Sequence, residues 1–527
     1  MKIRISKYAA ICGTFFAAAV LSAEIKLPGL VSDGAVFQRE KPAKIWGMAE
    51  PNAEVGVEFA GQKKSAKADA KGKWFLFLDA MPASAEPREM TVSENGKTAK
   101  KGRDILVGEV WILGGQSNME WIVVNTDDAK EAIARSDYPL LRYFDMPSGL
   151  NTETEQFSIP NGKWIHSSPK VSGKFSAVGF YFGEKLMKDL KIPVALVDTA
   201  MGGTPMRAWT PAEWAENVPF EKRWFATYKK EREDYLKNGG YEKKVAEMKI
   251  RREKYDAACK KADAEGKPRP SLWDFRVSTP LKHTHVSVNS IPIWHWDAKV
   301  APVAGFTARG VLWYQGESDA WGMDPQWSPS FTFGEVYKNM VKAWRARWGS
   351  KNLFFLAIQL PSQDNSPAWP HVRAQQVEAA DALGNAACAN IIDTGWQFDV
   401  HPHDKTLVGH RAEEIDLRNL YGYSSILPTP RAVSVKYKKG GAFVKLDAFG
   451  GKLVAKGEPR GFELKIDGKW VEGKPELRKN GVFVAAADSS TKPEGVRYLW
   501  KGWAKPDVWI YNNQNTPLFT FKFEETK

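Results

Sequence analysis

Short apolar runs, punctuated by Gly, Pro, Asn and Asp, fill residues 24 to about 103. Val36-Phe37, Lys44-Ile45-Trp46, Val55 to Phe59 and Lys73 to Leu78 have the length and flanks of strands. They predict an N-terminal β-sandwich over 24–103. From about 104 the pattern changes. Ile105 to Leu113, Ile192 to Val197, Arg309 to Tyr314, Asn352 to Leu360 and Ala389 to Ile392 are longer apolar runs, each leading into a polar or Gly-rich loop. Between the first two, Val178, Phe182, Leu186 and Leu190 recur every four residues, the stripe of a helix packed on a sheet, over about 176–190. This alternation predicts an α/β unit with a doubly wound parallel sheet over 104–428.

Residues 212 to about 267 interrupt that rhythm. Tyr241, Val245, Met248, Tyr255 and Cys259 fall at helical spacing, and Asn238-Gly239-Gly240 predicts a turn between two inserted helices. From about 429 short strands return, at Ala432 to Tyr437, Ala442 to Leu446, Phe462 to Ile466, Val482 to Ala486 and Val496 to Trp500. A second β-rich domain is expected over 429–527.

The start of the chain is of another kind. Lys2, Arg4 and Lys7 precede an uncharged run whose apolar centre, Tyr8 to Leu21, ends in small residues at Ser22-Ala23. This is the pattern of a secretory signal peptide cut after Ala23; an uncleaved anchor is the alternative. No later run approaches 18 apolar residues, so the exported remainder is expected to be soluble, periplasmic or extracellular, with no membrane contact.

The 527 residues carry a formal net charge of +13, which raises the question of a nucleic-acid partner. Residues 1–23 hold three positive charges and no negative one, so the remainder carries +10. Between Glu221 and Lys261, 14 Lys and Arg face 8 Asp and Glu, placing +6 in the helical insertion alone. The excess is local to one decoration, and no nucleic-acid partner is expected. Beyond the leader only Cys259 and Cys388 remain, too few for a cysteine metal site, with nothing to argue that they pair.

Four loops could carry chemistry, each after a predicted parallel strand, where open α/β sheets bind ligands. Gly114-Gly115-Gln116-Ser117-Asn118-Met119-Glu120 supplies a serine whose N–H can serve an oxyanion. Asp198-Thr199-Ala200-Met201-Gly202-Gly203-Thr204 offers a glycine N–H to the same crevice. In Trp313-Tyr314-Gln315-Gly316-Glu317-Ser318-Asp319, Gln315 has an amide to donate and Glu317 a carboxylate to position a neighbour. Asp399-Val400-His401-Pro402 supplies a base beside a carboxylate. Singly each is an ordinary turn. Together they hold a nucleophile, oxyanion donors, a base and its orienter, a set for acyl transfer.

These blocks resemble a known family. Val107-Gly108-Glu109-Val110-Trp111 running into Gly115-Gln116-Ser117-Asn118-Met119-Glu120 is similar to the opening block of the sialate O-acetylesterase-type SGNH hydrolases. Gly202-Gly203-Thr204, Gly310 to Ser318, and Asp399-Val400-His401-Pro402 with Lys405 and Val408-Gly409 match later blocks. Leu27-Pro28, Val36-Phe37-Gln38-Arg39 and Val496-Arg497-Tyr498 agree at the flanks. The resemblance implies a flavodoxin-like three-layer catalytic domain between β-rich domains, removing O-acetyl groups from carbohydrates with no metal and no cofactor. It implies Ser117 as nucleophile, His401 as base, and an oxyanion hole of the Ser117 N–H, Gly203 and Gln315, with Gly202 the alternative glycine. Family members often place Asp three residues before the histidine; here that residue is Phe398. Asp399, two before, or Glu317 is left to orient His401.

His283-Thr284-His285 has the look of a metal pair, but no third ligand stands nearby in sequence, and a surface loop is the expectation. Of the 22 tryptophans, Trp46, Trp74, Trp111 and Trp313 fall in predicted strands and belong to cores. Trp121, Trp209, Trp321 and Trp396 sit in loops after the catalytic blocks and are the sugar-platform candidates. An exported carbohydrate O-acetylesterase acting on sialic acid or another acetylated glycan is expected. The rivals are an acetylxylan or other plant or algal polysaccharide esterase, and a non-catalytic glycan binder on the same fold.

Overall fold

The computed structural model describes residues 25–147, 154–272, 274–320, 329–364 and 366–525. The leader and Trp321 lie outside the described residues. A central sheet is built from β1 (Lys97–Gly115), β2 (Tyr138–Asp145), β3 (Lys163–Ser167), β4 (Val194–Asp198), β5 (Gly310–Tyr314), β6 (Phe354–Ile358) and β7 (Ala386–Ala389). Their order is β7-β6-β5-β1-β4-β2-β3. All neighbours are parallel except the edge strand β3, which runs antiparallel to β2. The expected parallel sheet is therefore present with an antiparallel edge. Strands β2 and β3 were not among the expected ones, since their polar positions (Arg142, Lys163, His166) break the apolar run. The run Ala389 to Ile392 is strand only at its first residue; Ile391 and Ile392 stay fully buried beyond its end.

The sheet separates two cores, as the period-2 geometry of strands requires. Val110, Ile112, Val197, Val311, Trp313 and Phe355 face one side, where helices Pro329–Arg347 and Trp369–Leu383 lie against each other and contribute Met340, Trp344 and Val372 to the same core. Trp111, Leu113, Leu196, Leu312 and Leu356 face the other, with Val178, Phe182 and Leu186 of helix Ala177–Leu190 and Val408 and Ala412 of helix Thr406–Tyr421. The result is helix, sheet, helix. Ser176 caps the first of these helices by accepting from the Gly179 N–H at 3.1 Å.

Strand β1 is the link to the N-terminal strands. Its first half pairs antiparallel with Ser84–Glu94, and Val36–Gln38 runs parallel to Leu106–Gly108, so no break falls at the expected 103/104 boundary. Glu109, fully buried, accepts from Gln38, Arg39 and Arg309 at 2.6–3.0 Å. Burial pushes its carboxyl pKa up, but the two guanidiniums outweigh that and hold it low. The C-terminal strands form two four-stranded antiparallel sheets and a two-stranded one, closed over Val444, Phe462, Val482, Val496 and Tyr498.

The insertion consists of helices Pro219–Lys237 and Gly240–Ala264. Met248 and Cys259 of its expected stripe are buried, while Val245 is exposed. Cys259 and Cys388 are both free thiols. No helix among the described residues is long and apolar enough to cross a membrane.

Candidate active site

Strand β1 lies at the centre of the sheet, between β4 and β5, and the loops leaving these strands meet at its C-terminal end. Gly115 ends β1 at φ +128, and a Cβ there would stand 2.0 Å from the Tyr314 carbonyl oxygen. Only glycine allows β1 and β5 to close at this point. Ser117 follows and opens the short helix Ser117–Glu120.

The Ser117 Oγ and His401 Nε2 are 2.8 Å apart, so one proton can pass between them. Asp399 Oδ1 accepts the His401 backbone N–H at 2.8 Å and lies 3.5 Å from His401 Nδ1. Its Oδ2 is 3.6 Å from His403 Nε2. Glu317 is elsewhere: fully buried, it takes a hydrogen bond from Asn118 Nδ2 at 2.5 Å, and its second oxygen has no partner among the described residues. The carboxylate beside the imidazole is Asp399. Burial, then the Lys405 charge, lower the His401 pKa, while Asp399 works against them.

Sequence reasoning gave Asn118 no part, yet it ties the Ser117 loop to the His401 loop. Besides Glu317, Asn118 Nδ2 donates to the Val400 carbonyl at 2.9 Å, so the residue after Ser117 holds the residue before His401. Asn118 Oδ1 accepts from Lys405 Nζ at 2.5 Å. Burial pushes the Lys405 pKa down to about 7, against the pull of Glu317, while burial raises that of Glu317. The sequence signal was adjacency: Asn118 follows Ser117, and Lys405 stands four residues after His401.

The Gly202-Gly203 loop packs on Ser117. A Cβ on Gly202 would stand 3.4 Å from the Ser117 Cβ and 2.9 Å from Glu120 Oε2. The Gly202 N–H donates to Glu120 Oε2 at 2.7 Å. Among the described residues, the N–H groups of Ser117 and Gly203 donate to nothing. The loop is anchored behind by Thr199 Oγ1 on the Leu113 carbonyl at 2.8 Å and by Lys299 Nζ on the Ala200 carbonyl at 2.7 Å. Gln315 Nε2 is engaged with Asp319 Oδ2 at 2.5 Å, the Thr204 carbonyl at 3.1 Å and Gln116 Oε1 at 3.3 Å.

The tryptophans divide. Trp121 stacks on both His401 and His403, with centroids 4.9 and 5.2 Å away. Trp396, 46% exposed, leans on His403 at 4.6 Å. Trp209 does not line the surface: it is fully buried, its indole N–H donating to Thr204 Oγ1 at 3.0 Å and its ring edge-on to Trp313. The expected sugar platform there is a core residue, because the loop turns inward at Met206–Ala208, itself buried at both ends. His285 pairs with Glu231 at 3.0 Å and His283 stacks on Trp294. Among the described residues no group of three side chains could hold a metal ion.

Comparison with known proteins adds an independent line. Residues 107–233 and 295–408 match the family described as carbohydrate esterase, sialic acid-specific acetylesterase. The sialate O-acetylesterase of Homo sapiens is 23% identical over 519 residues, covering 90% of this chain and 87% of its own. That of Mus musculus is 24% identical over 449 residues, covering 77% and 76%. A carbohydrate acetylesterase of Xanthomonas citri superposes with a TM-score of 0.75 at 27% identity, covering 95% of this chain and 99% of that one. The chain is a carboxylic ester hydrolase, similar over most of its length to the sialate O-acetylesterases and to a carbohydrate acetylesterase.

Proposed function

We propose that the protein is an exported O-acetylesterase that deacetylates sialic acid or another acetylated glycan through a Ser117–His401 acyl-enzyme route. The observation that carries this reading is the 2.8 Å contact between Ser117 Oγ and His401 Nε2. Ser117 Oγ attacks the acetyl carbonyl as His401 takes its proton. The oxyanion lies against the Ser117 and Gly203 N–H groups, neither of which donates to another group among the described residues. Gln315 is the third donor. Of its acceptors the most distant, Gln116 Oε1 at 3.3 Å, is the one most readily exchanged for an oxyanion. Collapse returns the proton from His401 to the departing sugar hydroxyl and leaves acetyl-Ser117. A water, deprotonated by His401, then releases acetate.

Asp399 orients His401 in this scheme, with Asn118 holding the two loops in register. Trp121 and Trp396 form the wall on which a sugar ring lies. Export rests on the Lys2-to-Ala23 pattern.

Acetate release from acetylated sialic acids, acetylxylan and other acetylated glycans, by wild type and Ser117→Ala, tests the reading. Wild type should release acetate from at least one sialic acid or other glycan, and the variant should not. Equal release by Ser117→Ala would remove Ser117 from the chemistry.

A further inference from the structure

The peptide joining Gly202 to Gly203 carries both the N–H assigned above to the oxyanion and, on its other side, the Gly202 carbonyl. In a trans peptide these two groups point in opposite directions, so whatever holds the carbonyl aims the N–H. The holder is Asn289, whose Nδ2 donates to the Gly202 oxygen at 2.8 Å. Gly203 itself sits at φ +69, a left-handed conformation that glycine adopts freely, and a Cβ there would crowd Asn289 Nδ2 at 3.2 Å. The loop has backbone freedom that an external partner must remove.

Asn289 comes from outside the family match, which stops at 233 and resumes at 295. It sits in a short turn, Val288–Ser290, closed by the Ser290 N–H on the Ser287 carbonyl at 2.9 Å. The approach to that turn is bound to helix Pro219–Lys237, which lies inside the family match as far as residue 233. Arg232 Nε donates to the His283 carbonyl at 2.7 Å, the Tyr235 hydroxyl to the Leu281 carbonyl at 2.9 Å, and Tyr228 meets Thr284 at 3.1 Å. His285 pairs with Glu231. Beyond the turn, the Ile293 N–H donates to the Arg207 carbonyl at 3.3 Å, returning the segment to the loop it serves.

We infer that Asn289 is a positioning residue for the oxyanion hole, and that helix Pro219–Lys237 braces it. Resting on the assignment of Gly203 as an oxyanion donor, this gives that helix a part in positioning the site. Asn289 touches no reacting atom. It fixes the peptide plane through which the Gly203 N–H is presented.

The test compares Asn289→Ala and the isosteric, non-donating Asn289→Asp with wild type and Ser117→Ala, using the full chain, an aryl acetate and phenylboronic acid. The boronate adds to a serine hydroxyl as a tetrahedral anion, so its affinity reads the oxyanion site without turnover. Losing an oxyanion donor outright costs about 10²–10³ in kcat, and a misaimed one should cost about tenfold or more. Both variants should show that fall in kcat, KM within about twofold, and a matching loss of boronate affinity. Thermal unfolding identifies a variant that has lost its fold; should Asn289→Ala do so, Asn289→Asp decides. Wild-type kcat in a folded variant, or a fall in kcat with boronate affinity unchanged, overturns the inference. Aryl acetate turnover that survives Ser117→Ala instead overturns the Ser117 reading beneath it.

Discussion

Lys405 Nζ and Asn118 Oδ1 meet at 2.5 Å in a space closed to water, both residues having no exposed surface. The ammonium is thus held behind the Ser117 loop, with Glu317 on the far side of the same amide. Its charge reaches His401, where it works in the same direction as burial.

That arrangement sets the pH dependence. On the proposed route His401 must be neutral to accept the Ser117 proton, so activity should fall as pH drops through its pKa. Burial first, then Lys405, place that pKa below the ordinary histidine value of about 6.5; Asp399 opposes them and His403 adds to them. The acid limb of kcat/KM is expected below about pH 6.5. In Lys405→Met one lowering influence is gone, and the limb should move to higher pH. A limb that stays in place in that variant refutes the coupling.

Asn118→Leu keeps the number and branching of the side-chain heavy atoms but removes every bond of the clamp. Glu317 and Lys405 are then buried without their partner, and each unsatisfied group costs about 1–3 kcal/mol. Denaturant unfolding should show a loss of at least that size. At temperatures where the variant is folded, kcat should fall with the Ser117–His401 register. Retention of both stability and kcat would show the clamp to be idle.

Asp399 and Glu317 are separable by kinetics. Asp399→Ala should reduce kcat, though by less than Ser117→Ala or His401→Ala, since an orienting carboxylate contributes less than the reacting pair. Glu317→Gln should act on stability and leave the imidazole's tautomer untouched. If Glu317→Gln lowers kcat more than Asp399→Ala, the assignment is reversed.

The tryptophans give opposite expectations on the same substitution. Trp209→Ala empties a fully buried site and should cost about 3–5 kcal/mol. Trp396→Ala, at an exposed position, should leave the Tm unchanged and raise KM for an acetylated glycan but not for an aryl acetate. Equal KM effects on both substrates would remove Trp396 from the sugar wall.

Much of this was legible in the chain, for a physical reason. Buried parallel strands must be apolar on both faces, so Ile105 to Leu113 and Arg309 to Tyr314 announce themselves, and the polar residues at their exits name the site. What the pattern hides is chemistry reached through the fold. Asn118 gains meaning only when Val400 and Glu317 arrive 282 and 199 residues later in the chain, and Asn289 only when Gly202 lies against it. Trp209 misled because it stands in a loop, and loops are read as surface; here the loop turns into the core. Strand β3 was missed because an edge of the sheet tolerates polar residues, and β2 because Arg142, buried and paired with Asp104, breaks its apolar run.

The nineteen-residue strand β1 has one further consequence. Its first half is woven into the N-terminal strands, and its last residues deliver Ser117. The front of this protein is therefore no detachable cassette. A chain started at residue 104 would lose the antiparallel partner Ser84–Glu94 and the Gln38 and Arg39 ligands of Glu109, leaving a buried carboxylate to Arg309 alone. Recombination or truncation can exchange what lies in front of Ser117 only as a single block through Gly115.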